Sequence, residues 1–128
     1  MRGFVDASGR AIITIRIASS RQDSGHEINV WIDTGFTGDL VVPRGIVDQL
    51  ALHQTGTTDG VLADGTQVLL KTFHCEIEWF GKFRSLEVIA NDGEMPLLGV
   101  GLLLAKVLTI DYTNLTLSLM PAPKKSSG

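Results

Sequence analysis

Asp33, Thr34 and Gly35 follow directly on the apolar run Val30-Trp31-Ile32, and Phe36-Thr37-Gly38 come next. A carboxylate delivered at the end of an apolar strand is the group in this chain best suited to chemistry, because it can take a proton from water or return one to a leaving group. Read as a bare tripeptide, Asp-Thr-Gly is better explained as a turn: Asp accepts backbone N–H bonds and Gly supplies positive φ at little cost. The setting alters that balance, since a charge beside a core is costly unless a site uses it. His26, His53 and His74 stand far apart, without acids or cysteine at ligand spacing, so neither a metal nor another cofactor is expected. Asp59 to Asp64 lacks the calcium-loop pattern. Ser19 and Ser20 lie near Asp23 and His26 in a polar loop, with no Gly-x-Ser-x-Gly elbow. Gly99-x-Gly101 lacks the third glycine of a phosphate loop. The single cysteine, Cys75, sits in an alternating apolar segment, where a small buried thiol is favoured over a reactive one.

Most of the chain reads as strands that would carry this acid. Phe4 to Ala18 has the pattern of a hairpin, with the turn set Asp6-Ala7-Ser8-Gly9 and then Ala11, Ile13, Ile15 and Ile17 at every second position. A polar loop, Ser19 to His26, precedes a strand from Glu27 to Asp33. Asp39 to Val42 reads as a short strand stopped by Pro43, which suits the first turn of a helix carrying Ile46, Val47 and Leu50. The pair Asp64-Gly65 between apolar and β-branched flanks is a strong hairpin signal. Its second strand places Val68, Leu70, Thr72, His74, Glu76 and Glu78 on one face, with Leu69, Phe73, Cys75, Ile77 and Trp79 supplying most of the other. A turn at Phe80-Gly81-Lys82 returns the chain as Phe83 to Ala90. Leu102, Leu103 and Lys106 fit a second helix, and two last strands, Val107 to Tyr112 and Leu115 to Met120, flank Thr113-Asn114. The expectation is one all-β domain over residues 1–120 with one or two short helices, and a disordered tail over 121–128.

With 128 residues the chain has the length of one domain, and 44% hydrophobic with 20% charged residues and 14 glycines suits a compact, turn-rich one. A formal net charge of −3 provides no positive field for phosphate backbones or anionic lipid, which argues against nucleic-acid and membrane partners. Leu97 to Ala105, the longest later apolar run, is too short to span a bilayer, and an acid interrupts any signal-type run at the start, so a cytoplasmic location is expected by default.

Ile32-Asp33-Thr34-Gly35 resembles the active-site signature of retropepsin-like (clan AA) aspartic proteases. Pro96-Leu97-Leu98-Gly99 looks like that family's second marker, an apolar pair and a glycine ahead of a short helix, and Leu62 to Thr66 looks like its flap hairpin. The similarity covers roughly Phe4 to Met120 and is greater to the small single-domain prokaryotic branch, in which Asp-Thr-Gly-Phe-Thr-Gly followed by an apolar run and proline is a familiar string. The resemblance implies a retropepsin-like acid-protease half-barrel and a homodimer, because only one Asp-Thr-Gly occurs per chain. Asp33 of each subunit would lie beside its mate and share one proton, since two unit charges about 4 Å apart repel by roughly 4 kcal/mol at an effective dielectric near 20.

By the same resemblance, one carboxylate activates a water and the other polarises the scissile carbonyl of a peptide or protein substrate. Thr34 hydrogen-bonds across the two-fold axis, and Gly35 lets the backbone come close to the acids. Leu62, Ala63, Asp64 and Gly65 form the substrate-covering flap, with Asp64 read first as its turn residue; Val61 and Leu62 fit strand core equally well. Phe36, Thr37, Leu97, Leu98 and Gly99 support the site. Phe36 departs from the commonest pattern, which has a small residue after the glycine, and it cannot donate the hydrogen bond that a serine there gives the acid in two-lobed relatives. Two functions remain in view: an aspartic endopeptidase, and a non-catalytic dimerisation or peptide-binding module on the same fold. Met1 to Val5 and Leu115 to Met120 are candidate interface strands if the chain termini interleave as in retroviral relatives; the sequence does not choose between this and another pairing.

Overall fold

The alternating isoleucines form the second strand of a hairpin, as their period demands. In the computed structural model, which describes residues 1–62 and 64–123, β1 (Arg2–Val5) turns into β2 (Ala11–Ala18). Asp6 holds the turn, its Oδ1 accepting the N–H groups of Ser8 and Arg10, both at 2.9 Å. β3 (His26–Ile32) pairs antiparallel with β2, from Ile12 opposite Trp31 to Ile17 opposite His26. Ile13, Ile15 and Ile17 of β2 and Val30 and Ile32 of β3 all enter one core. Each such side chain contributes about 1.5–3 kcal/mol of burial.

β4 (Leu40–Pro43) leads into helix α1 (Arg44–Gln49), with Pro43 as the capping residue, one position earlier than the first-turn place expected for it. β5 (His53–Val61) and the long β6 (Gln67–Trp79) make the hairpin expected around Asp64-Gly65, and β7 (Lys82–Asn91) returns beside β6. The two-residue β8 (Leu97–Leu98) precedes helix α2 (Val100–Leu103), and β9 (Lys106–Asp111) and β10 (Thr116–Pro121) complete the chain. Lys106, expected on the second helix, instead begins β9, because α2 stops after one turn and Ala105 takes a left-handed φ of 61°. β10 runs to Pro121 and the Ala122 N–H donates to Ala105 O at 3.0 Å, so ordered pairing extends into the stretch expected to be tail. Lys124 to Gly128 lie outside the described residues.

The strands form one sheet in the order β5-β6-β7-β4-β8-β3-β2-β1-β10-β9. A further pairing of β2 with β6, Ile17 opposite Ile77 and Ala18 opposite Glu76, closes six of them into a small barrel. The hairpin end of β5 and β6 and the strands β1, β10 and β9 extend from it. This closure also buries part of a face that reads as polar. Glu76 is 5% exposed where β2 pairs with that end of β6, and Thr72, 7% exposed, lies between β5 and β7 with its hydroxyl 3.1 Å from that of Thr55. Glu76 Oε1 accepts the Ser85 hydroxyl at 2.6 Å and lies 3.2 Å from His74 Nε2, while Arg21 Nε is 3.7 Å from Oε2. The Ser85 hydrogen bond first, then those from His74 and the Arg21 charge, hold the carboxyl below its ordinary range against the opposing effect of burial. Cys75 is fully buried, and burial with the neighbouring Glu76 charge pushes its thiol up to about 12. No helix among the described residues is long and apolar enough to cross a membrane.

Candidate active site

Asp33 emerges where β3 ends, and the short β8 determines its position. β8 lies between two strands of opposite sense: parallel to β3, with Trp31 opposite Leu97 and Ile32 opposite Leu98, and antiparallel to β4, with Leu40 opposite Leu98. Leu98 is wholly buried, so it anchors this crossing from the core side. The Asp33 N–H donates to Leu98 O at 2.8 Å, which continues the parallel ladder one residue past the strand and fixes the acid's backbone. Leu98 is thus joined directly to Asp33, while Leu97 pairs with Trp31 and Val41 beside it.

The loop from Asp33 to Asp39 folds back on itself through short-range bonds. The Gly35 N–H donates to Asp33 Oδ1 at 2.9 Å and the Phe36 N–H to Asp33 O at 3.2 Å, a local turn of the kind aspartate favours. Among the described residues, Gly35 N–H is the one hydrogen-bond donor to the Asp33 carboxylate. Asp33 is half-buried, whereas Thr34, Gly35 and Thr37 are exposed. The carboxylate therefore sits at the rim of the core and remains open to solvent in a single chain.

Three further bonds join this loop to the residues after β8. Gly99 N–H donates to Asp39 O at 2.9 Å, Val100 N–H to Phe36 O at 2.8 Å, and Gly101 N–H to Gly38 O at 3.0 Å. The two segments pack so closely that glycine is required at the contact. A Cβ on Gly99 would meet Phe36 Cδ2 at 2.5 Å and Phe36 O at 2.7 Å, and one on Gly38 would meet Phe36 Cζ at 2.5 Å. Phe36 fills the space those two glycines leave, with its aromatic ring serving as packing between the segments. Asp39 and Gly101 were not assigned to the site from sequence; the signal that could have found them is the pairing of Gly35-x-x-Gly38 with Gly99-x-Gly101, two closely spaced glycine pairs in loops that must touch.

The hairpin turn at Asp64-Gly65 is built as its sequence suggests. The Leu62 N–H donates to Thr66 O at 2.8 Å, Gly65 N–H to Leu62 O at 2.9 Å and Thr66 N–H to Asp64 Oδ1 at 2.9 Å, with Gly65 at φ 87°. Asp64 is thus the turn residue; hydrogen bonds to Thr66 hold its carboxyl below the usual range. Ala63 lies outside the described residues. Val61 is 72% exposed and Leu62 49%, so neither is core. The hydrogen bonds of the tip stay within the hairpin, and none joins it to the Asp33 loop among the described residues. A concavity of about 380 Å³ bounded by Arg16, Glu27 and Glu78 lies toward the start of β3, roughly 20 Å along the strand from Asp33. It is remote from this chemistry.

No family model matches the chain, and no curated protein matches it in sequence. Solved structures do match. A retropepsin-like aspartic protease from Rickettsia conorii superposes with a TM-score of 0.67 at 18% identity, covering 95% of this chain and 89% of that one. The EIAV protease, solved with an inhibitor bound, gives 0.55 at 20% identity over 77% of this chain and 88% of its own. The Simian Foamy Virus (mac) protease gives 0.50 at 17% identity over 69% and 86%. At these identities the likeness speaks for architecture, and the architecture is the all-β retropepsin-like fold.

Proposed function

We propose that this chain is one half of an aspartic endopeptidase whose active site is shared between two identical subunits. The observation that carries the reading is the seat of Asp33: a lone Asp-Thr-Gly carboxylate at the end of β3, fixed by Leu98 O and Gly35 N–H, and left open on its outer side. An acid held rigidly yet offered to solvent is half of a pair. With its two-fold mate, one carboxylate removes a proton from a bound water while the other donates a proton to the scissile carbonyl oxygen. No covalent enzyme intermediate forms.

In this reading Thr34 bonds to the partner chain, which is consistent with its exposure. Gly35 keeps the backbone against the acid. The tip Leu62, Ala63, Asp64 and Gly65 covers an extended peptide, to which Val61 and Leu62 present apolar surface. Phe36, Thr37, Leu97, Leu98 and Gly99 hold the loop. The test is cleavage of a peptide library by the parent protein and by Asp33→Asn across acid to neutral pH, with protein concentration varied. Cleavage lost in Asp33→Asn and rising steeply with concentration is expected; undiminished cleavage would rule the mechanism out.

A second reading, a peptide-binding module without catalysis, is favoured by one feature: Phe36 packs between glycines and offers no hydroxyl to Asp33. Peptide binding that survives Asp33→Ala, with no substrate cut at any pH, would select it.

A further inference from the structure

We infer that the concavity between the β6–β7 turn and the start of β9 binds a small organic anion with a flat apolar body, such as an aromatic carboxylate. Trp79, Phe80, Lys82, Phe83, Arg84 and Lys106 line it, and its volume is about 370 Å³. That is at the small end of the range for ligand sites. Phe80 also bounds the concavity beside Arg16, Glu27 and Glu78, which places both at the end of the barrel away from Asp33. The inference neither uses nor needs the peptidase reading.

The turn Trp79-Phe80-Gly81-Lys82 builds one wall. Trp79 stands opposite Lys82 in the ladder, and Phe80 and Gly81 both take left-handed φ, 53° and 80°. Glycine suits such a turn, whereas the Cβ of phenylalanine crowds the following carbonyl there. In this conformation the Phe80 ring lies nearly perpendicular to that of Trp79, with centroids 5.1 Å apart and planes at 87°. Lys106 Nζ lies over the same ring, 4.8 Å from its centroid, a cation–π contact that brings the first residue of β9 to this cavity. Lys82 and Arg84, two residues apart on β7, share one face of that strand.

Every polar group these side chains offer is a hydrogen-bond donor. Among the described residues Lys82, Arg84 and Lys106 take part in no ion pair, although the chain as a whole carries a net charge of −3. Trp79, the buried part of the lining, is 6% exposed, and its indole N–H has no acceptor among the described residues. Buried polar groups in native proteins nearly always have a partner, and cations gathered around one cavity repel one another. What the cluster lacks is therefore an acceptor with negative charge. Glu78 does not supply it: strand alternation turns it to the face of β6 opposite Trp79, where it bounds the neighbouring concavities with Arg16.

The remaining surface comes from three aromatic rings, which favour a flat apolar body through burial and stacking. The cations favour a carboxylate or a group of similar charge, which arginine can grip bidentately. A bare inorganic anion uses only the second attraction and an uncharged aromatic only the first. A ligand that joins the two is selected over each.

The test is titration of naphthoate into the isotope-labelled full chain, followed by nuclear magnetic resonance, with naphthalenemethanol as its uncharged counterpart and inorganic phosphate as the bare anion. The chain has two tryptophans, Trp31 and Trp79, so one indole N–H signal reports this cavity and the other reports the strand that ends at Asp33. Trp79→Phe and Trp31→Phe assign them. Naphthoate is expected to shift the Trp79 signal saturably and leave Trp31 unmoved, with naphthalenemethanol and phosphate each about ten-fold weaker. Arg84→Glu should lower the affinity about ten-fold, the factor that one charge-assisted contact contributes, and Lys106→Glu should repeat the loss from the other wall. Arg2→Glu makes the same change in net charge at an exposed position of β1 and should leave the affinity unchanged. The spectra themselves show that each variant is folded. A Trp79 signal that stays fixed, naphthalenemethanol equal to naphthoate, phosphate equal to naphthoate, or an equal loss in Arg2→Glu overturns the site.

Discussion

Gly99→Ala is the sharpest test of how the Asp33 loop is held. Gly99 has φ −101° and ψ 179°, an extended conformation alanine adopts freely, so the whole effect of the change is steric. The added Cβ would stand 2.7 Å from Phe36 O and closer still to Gly38 O, whereas ordinary contact begins at 3.4 Å. Phe36 O must therefore retreat by about 0.7 Å, the difference of those two distances, and that carbonyl accepts the Val100 N–H at 2.8 Å. Their sum is about 3.5 Å, where a hydrogen bond has largely failed. The bonds of Gly99 to Asp39 and Gly101 to Gly38 bridge the same two segments and are strained with it. Two or three bonds weakened at about 1 kcal/mol each, together with overpacking at about 1–3 kcal/mol, predict a loss of about 3–6 kcal/mol. Urea denaturation reads it directly. If the peptidase reading holds, cleavage falls by about 10²-fold, the cost of misplacing a reacting group by about an ångström. Phe36→Ala in the same chain relieves the ring contact but not the two carbonyls, so the double variant should regain only part of the stability. A Gly99→Ala protein within about 0.5 kcal/mol of the parent would refute the account of the loop.

Gly45→Ala should do the opposite: it is exposed on α1 with no atom within 4 Å of the added Cβ, so unfolding should become harder by about 0.5–1 kcal/mol. Ser85→Ala removes the hydroxyl donor to buried Glu76 and should cost about 1.5–3 kcal/mol at pH 7. Because that bond lowers the folded carboxyl below its usual 4.5, its contribution is complete above that pH and lost as pH falls through the depressed value; the stability gap between Ser85→Ala and the parent should close in acid. Cys75 should react with a thiol reagent in the folded protein about 10³-fold more slowly than an ordinary cysteine, since raising its thiol from 9.0 to about 12 lowers the thiolate population by that factor. Denaturant should restore its reactivity.

What the sequence makes legible is whatever a short repeat controls. The two-residue period of Ala11 to Ile17 predicts both β2 and the face it buries, Asp64-Gly65 predicts the hairpin turn, and Val30-Trp31-Ile32 predicts the strand at whose end Asp33 stands. Features set by the closing of the sheet are hidden. Glu76 alternates as if on an outer face, yet β2 crosses behind it from 58 positions earlier in the chain, Ala18 opposite Glu76. Lys106 has helical spacing with Leu102 and Leu103, but Ala105 adopts a left-handed φ that no local pattern announces. Phe36 looks anomalous after Asp-Thr-Gly until Gly38 and Gly99 are seen to leave room for its ring.

β8, two residues long, has a consequence for the life of the chain during synthesis. Asp33 is seated by the carbonyl of Leu98, which follows it by 65 residues. At about 5–20 residues per second, a ribosome needs roughly 3–13 s to add that stretch after Asp33 is made. Throughout that interval the acid has no fixed position, and β3 has no parallel neighbour on that side. Whatever Asp33 does, the nascent chain cannot do it, so the order of translation itself delays activity until most of the chain has been made.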